Sequence, residues 1–274
     1  MRYAICNELF ENLSLAQSCK IISEHGFNGI ELAPYTLSDA PDKMSLQARS
    51  ATKRILEDFD LQFVGFHWLL NAPAGLHLTT PDSAVRIKTW DFMKFLVEFC
   101  AEMGGGILVL GSGKKRNADG IPVEKALEYL TQGLRELAPI AESGNTTIVI
   151  EPLSARITNV VNTLKEAENL IHAIDHPAVS GIFDFHNCTE EKQSWQALIE
   201  CFKDSIRHVH LNEIDGGYPG SGSSDYAPTF AALKRCGYGG WISLEVFDQK
   251  ESPERILRET RRTIQNIERR LAFD

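Results

Sequence analysis

Short apolar runs of strand length alternate with longer segments of helical period along the whole chain, and the alternation repeats eight times without a linker or a break in composition. The strand-like runs are Tyr3 to Cys6, Gly29 to Leu32, Gln62 to His67 and Ile107 to Leu110, then TTIVIEPL from Thr146, VSGIFDFH, IRHVHLNE and GWISLEVF. Between them the pattern predicts helices from a Ser14 cap to about His25, from about Ser45 to Phe59, from an Asp82 cap to Met103, and from Val123 to Ser143, where Gly144-Asn145 stops it. Further helices are expected over about Asn159 to Ile174, Glu190 to Phe202, Pro228 to Cys236 and Pro253 to Leu271. Eight consecutive βα units close most naturally into a (β/α)8 barrel forming one domain over residues 1–274. A doubly wound open sheet seldom keeps so many regular units without a topological interruption.

The last four strands share a design. TTIVIEPL is a β-branched run that stops at Glu151 and is closed by Pro152, which cannot extend a ladder. The next three carry Asp184, His210 and Glu245 near their C-terminal ends. Because side chains alternate along a strand, Glu151 shares a face with Val149 and Thr147, Asp184 with Ile182 and Ser180, His210 with His208, and Glu245 with Ser243. The ligand face is the more polar, and the opposite face, with Ile148, Ile150, Phe183, Val209, Leu211, Ile242 and Leu244, suits covering helices.

Barrels of this kind carry their active sites at the C-terminal ends of the strands. Neighbouring strands lie about 4.8 Å apart, so residues ending four consecutive strands can converge on one point. Glu151, Asp184, His210 and Glu245 thus form a candidate site of three carboxylates and one imidazole, which suits one divalent cation. Mn2+ fits the oxygen-rich set best, Mg2+ and Co2+ fit it too, and Zn2+ would more often recruit further His or Cys.

His67 ends the third strand at the same mouth and is assigned to substrate contact. Trp68, Asn7, Glu31 and Glu213 also lie at strand ends, where substrate contact competes with packing or loop ordering; Trp68 and Glu213 are carried forward as substrate contacts. Lys114, Lys115 and Arg116 follow the fourth strand, and a solvated basic loop is the preferred reading over an anion site. GSGKKR is neither GxGxxG nor a Walker loop, so nucleotide binding has no support. The loops Trp68 to Pro81 and Asn212 to Asp225 are the longest and are rich in Gly, Pro and Ser.

A formal net charge of -9 argues against nucleic acid as a partner, since that binding depends on Lys and Arg neutralising phosphates. The six cysteines are scattered without a CxxC pair and read as reduced thiols. The N-terminus lacks the apolar core of a signal peptide, and no run approaches the roughly 20 apolar residues of a membrane span. A cytoplasmic protein without membrane association is expected, and a homo-oligomer is compatible with this reading.

At IVIEP, FDFH, HVHLNE and SLEVF, supported by GFNGIEL and VGFHWLL, the chain resembles the sugar isomerase and epimerase superfamily of metal-dependent TIM barrels, which includes xylose isomerase-like enzymes, ketose 3-epimerases and endonuclease IV. The resemblance to the ketose 3-epimerases implies that Glu151, Asp184, His210 and Glu245 hold the metal, and that Glu151 and Glu245 also exchange protons with the substrate carbon. It implies a keto-sugar or related polyol ketone as substrate, with a lyase or dehydratase on the same scaffold as the alternative. The chain departs from the family in three places. His186 stands two residues after Asp184 where the family's His stands three after; a shorter loop can still bring His186 to a substrate hydroxyl. Gly216 and Gly217 stand where the epimerases carry an Arg, and Ile157 where they carry a Glu. A nuclease of the endonuclease IV kind needs extra His and Asp ligands, but Leu110 and Gly111 end the fourth strand. A non-catalytic sugar-binding module is disfavoured by the intact ligand quartet.

Overall fold

The computed structural model describes residues 1–273, and its strands form one closed parallel barrel in the order β1-β2-β3-β4-β5-β6-β7-β8. The strands are β1 (Arg2–Cys6), β2 (Gly29–Leu32), β3 (Gln62–Phe66), β4 (Gly106–Leu110), β5 (Thr146–Ile150), β6 (Val179–Asp184), β7 (Ile206–Leu211) and β8 (Trp241–Leu244). Between and after them run α1 (Leu15–Glu24), α2 (Leu46–Asp58), α3 (Ser83–Met103), α4 (Val123–Ser143), α5 (Leu164–Ile174), α6 (Trp195–Phe202), α7 (Ala227–Arg235) and α8 (Pro253–Phe273). No helix among the described residues is long and apolar enough to cross a membrane.

Local chemistry sets most boundaries where the sequence expects them. Ser14 accepts from the Gln17 N–H while the Gln17 side chain reaches back, a reciprocal capping box that starts α1. Asp82 accepts from the Ala84 and Val85 N–H groups and starts α3, which ends at Gly104 in the left-handed region. Two helices begin later than their apolar pattern suggests. Thr163, not Asn159, caps α5 by accepting from Glu166, and Ser194 caps α6 by accepting from Ala197. Ahead of α5 the chain is committed to other bonds: Asn162 Nδ2 donates to the carbonyls of Leu153 and Thr158, and Val161 is left-handed at φ 61°. The loop over residues 151–163 is therefore a long one, built over the barrel mouth.

Strand alternation divides the interior in two. Ile148, Ile150, Phe183, Val209, Leu211 and Leu244 face the helices and join the main core with Leu96, Leu134, Leu198 and Phe230. Val109, Val149 and Ile182 form a separate small cluster on the other strand face, inside the barrel. Each buried Leu, Ile or Phe contributes roughly 1.5–3 kcal/mol, so a one-residue slip that exchanged the faces would be prohibitive. That register holds Asp184 opposite His210 and His210 opposite Ser243.

The reading of residues 114–116 as a solvated loop fails at Arg116. Its side chain is fully buried and donates to the carbonyls of Leu110, Glu151, Val160 and Val161 at 2.7 to 3.1 Å. These carbonyls lie at the ends of β4 and β5 and in the following loop, and a guanidinium is the side chain whose planar fork can satisfy all of them. Burial lowers its pKa to about 10, so it stays charged at neutral pH.

Candidate active site

The four expected ligands meet at the C-terminal mouth. Glu151 and Glu245 each stand one residue beyond their strands, tied by N–H bonds to Leu110 and Leu211 carbonyls, while Asp184 closes β6 and His210 lies within β7. One donor atom from each of the four lies within 4.8 Å of the others, and all four residues are buried. His210 Nδ1 is 3.0 Å from Glu245, 3.6 Å from Glu151 and 3.8 Å from Asp184. Gly111 makes room for this: a Cβ there would lie 2.0 Å from a Glu151 carboxylate oxygen.

Neighbouring groups aim the ligands. Asp184 accepts from the His186 and Asn187 N–H groups and from Asn187 Nδ2. On the far side of the imidazole, Glu31 accepts from His210 Nε2 at 3.0 Å and from His208 Nε2 at 2.8 Å. This contact puts the His210 proton on Nε2 and leaves Nδ1 to face the three carboxylates, the arrangement in which a carboxylate orients a metal-binding histidine. His210 Nδ1 and Glu245 Oε2 are nevertheless buried without a hydrogen-bond partner. A divalent cation between them would satisfy both and offset the crowding of three carboxylates, so the donor set fits such an ion.

A family profile described as xylose isomerase-like TIM barrel matches residues 19–267. The chain belongs to that family. This xylose isomerase-like barrel is 25% identical over 229 residues to a probable ketose 3-epimerase of Synechocystis sp., covering 81% of this chain and 75% of the relative. It is 25% identical over 172 residues to 3-dehydro-D-guloside 4-epimerase of Escherichia coli, covering 60% and 66%. Its backbone superposes on D-psicose 3-epimerase of Clostridium cellulolyticum with a TM-score of 0.85 at 18% identity, over 98% of this chain and 99% of that one. The chain is an enzyme of the isomerase and epimerase class.

Burial dominates the electrostatics of this barrel's mouth. It pushes the Glu151 carboxyl up to about 8, with Asp184 and Glu245 adding repulsion against the pull of His210. Burial raises Glu245 as well. For Asp184 burial acts upward but is outweighed by the His210 hydrogen bond and charge, which hold it down to about 2. Burial likewise opposes protonation of His210, yet Glu245 and Glu31 outweigh it and hold the imidazole well above its ordinary range. Pushed up to about 8, the Glu151 carboxyl holds its proton at neutral pH when no metal is bound.

A cavity of about 420 Å³ opens above the quartet. His67, Trp68 and His186 line it; Glu213 does not. His67 is buried, with Nε2 on Glu8 at 2.5 Å and Nδ1 3.6 Å from Glu31. His186 Nδ1 donates to the Ile214 carbonyl at 2.7 Å, which leaves Nε2 free. Trp68 stands 42% exposed at the rim. Glu213 is buried and orders its own loop, accepting from Gly220 N–H and Ser224 Oγ. Asn7 orders a loop too, between Thr36 and the Ala33 N–H. Of the two buried acids behind the site, Glu31 stood out in sequence as a charge inside the apolar strand GIEL but not in its role beside His208 and His210, whereas Glu8 lies in a short turn after β1 and carries no comparable signal.

Proposed function

We propose that the protein is a divalent-metal-dependent epimerase of a keto-sugar or related polyol ketone, working by proton transfer at the carbon next to the carbonyl. The observation that carries this reading is the buried quartet of Glu151, Asp184, His210 and Glu245 beneath an open cavity. The four residues would hold the metal, Mn2+ for preference, with Mg2+, Co2+ and Zn2+ as other candidates. When bound, a divalent ion polarises the substrate's carbonyl and adjoining hydroxyl and so acidifies the neighbouring C–H.

Glu151 and Glu245 come from β5 and β8, strands three apart, so they reach a substrate between them from different sides. One takes the proton, and the other, protonated at the outset, gives its own proton to the opposite face of the carbon, which inverts the centre. His186 Nε2 would hold a substrate hydroxyl, and His67 and Trp68 would border the sugar. The epimerase reading is favoured over a lyase because the relatives are named as epimerases. The cysteines are all free, which suits the cytoplasm.

Metal analysis of the purified protein, followed by turnover of keto-sugars in D2O read by NMR, tests the proposal. Deuterium should enter the carbon beside the carbonyl. Turnover with no such exchange would replace proton transfer by an internal hydride shift and leave Glu151 and Glu245 as ligands only. His186→Ala should keep the metal, because the backbone N–H that orients Asp184 survives, and should weaken turnover.

A further inference from the structure

We propose that the natural substrate is a keto-sugar bearing an apolar planar substituent, in chemical class an aryl glycoside, with that group seated on a rim made by Trp68, Leu153, Ile157 and Phe247. The proposal rests on the keto-sugar reading above and specifies what lies at the far end of the sugar.

The cavity of about 420 Å³ runs from the ligand residues out to the rim, which leaves room for a group beyond the sugar ring. Beyond the quartet, much of the remaining wall is apolar. Trp68, Ile157 and Phe247 line it and are 42%, 38% and 41% exposed, side by side at a site rather than scattered over the surface.

The rim is also built, because each exposed side chain is fixed by its surroundings. Trp68 is held at φ 50°, a left-handed conformation that a bulky residue rarely adopts. Its ring meets that of Phe247 edge-on at 6.5 Å. The Phe247 N–H donates to the Gly216 carbonyl at 2.9 Å, and Gly216, at φ 86°, packs so closely that a Cβ would lie 3.2 Å from the phenylalanine. Ile157 occupies space that any side chain at Gly113 would claim, since a Cβ there would come within 2.3 Å. A second sugar ring would find no polar partner on Trp68, Leu153, Ile157 or Phe247 themselves. A planar apolar group loses nothing there and gains contact with two aromatic faces. Lys114 and Lys115 also border the cavity, so a phosphorylated sugar belongs among the test ligands.

Calorimetric titration of the Mn2+-loaded full chain with the 3-keto forms of phenyl β-D-glucoside, methyl β-D-glucoside, cellobiose and glucose 6-phosphate decides the matter, and binding of none of them would overturn the proposal. The phenyl glucoside should bind about 10- to 50-fold more tightly than the methyl glucoside. Trp68→Ala and Ile157→Glu, both at exposed positions and checked by thermal melting, should each bring that ratio to within about threefold. Equal affinity for phenyl and methyl glucosides, or tighter binding of cellobiose or the phosphate, would overturn the proposal. A preserved phenyl preference with no deuterium exchange on any keto-sugar would instead overturn the epimerase reading and leave the subsite standing.

Discussion

In the proposed mechanism Glu151 and Glu245 each combine two duties that substitution can separate. A glutamine at either position keeps a neutral oxygen toward the metal and removes the base. Metal affinity should fall modestly and turnover by roughly two to four orders of magnitude, measured by titration and by steady-state kinetics on the same preparations. Glu31 touches no substrate atom and acts through His210. Glu31→Gln should weaken metal binding roughly 10- to 100-fold while leaving the fold intact, since an amide pairs less well with both His208 and His210. Unchanged metal affinity in that variant would show that the imidazole is oriented by packing alone. The raised carboxyl of Glu151 gives metal binding a pH dependence whose sign is fixed. The acid is protonated below about 8 and must ionise to bind, and the His210 imidazole, held well above its ordinary range, must also be neutral, so affinity should climb with pH through and beyond that value. Titrations in buffers of different ionisation enthalpy should detect protons released on binding near neutral pH.

At the scale of strands and loops, the mouth depends on two residues that never meet the substrate's reacting carbon. Gly111→Ala would drive a methyl group to 2.0 Å from a Glu151 oxygen, so that carboxylate must move. Turnover should drop about 100-fold or more with little change in melting temperature, because a displacement near 1 Å suffices for that loss. Arg116→Met would orphan four strand-end and loop carbonyls. It should lower stability by roughly 3–5 kcal/mol, a fall of roughly 10 °C in Tm. The order and kind of the eight strands and eight α-helices were readable from periodicity, because strand alternation and helical period are written in local apolar spacing. The starts of α5 and α6 were not. Their apolar pattern runs on past the true boundary: ahead of α5 Asn162 is tied to the Leu153 carbonyl, and ahead of α6 the Glu190 and Glu191 side chains are engaged by the distant Ala155 and Leu164 N–H groups.

For the molecule as a whole, the convergence of Glu151, Asp184, His210 and Glu245 was legible because each stands at or next to the C-terminal end of an apolar strand. The roles of Glu8, Glu213 and Arg116 were not, because each is set by partners that only the closed barrel brings near. Metal should stabilise the entire fold, since it binds the native state alone: at a hundredfold excess over Kd the gain is about 2.7 kcal/mol, visible as a higher Tm that a chelator reverses. The strand order has a further result for how such an enzyme can change. All four candidate metal ligands come from the second half of the chain, whereas His67, Trp68, Leu70, Asn71 and Ser112 on the facing wall come from the first. The inheritance of chemistry and part of the inheritance of substrate choice are thus physically separable. A hybrid gene that joins β1–β4 of one such barrel to β5–β8 of another should keep the reaction of the second parent while taking on some of the substrate preference of the first.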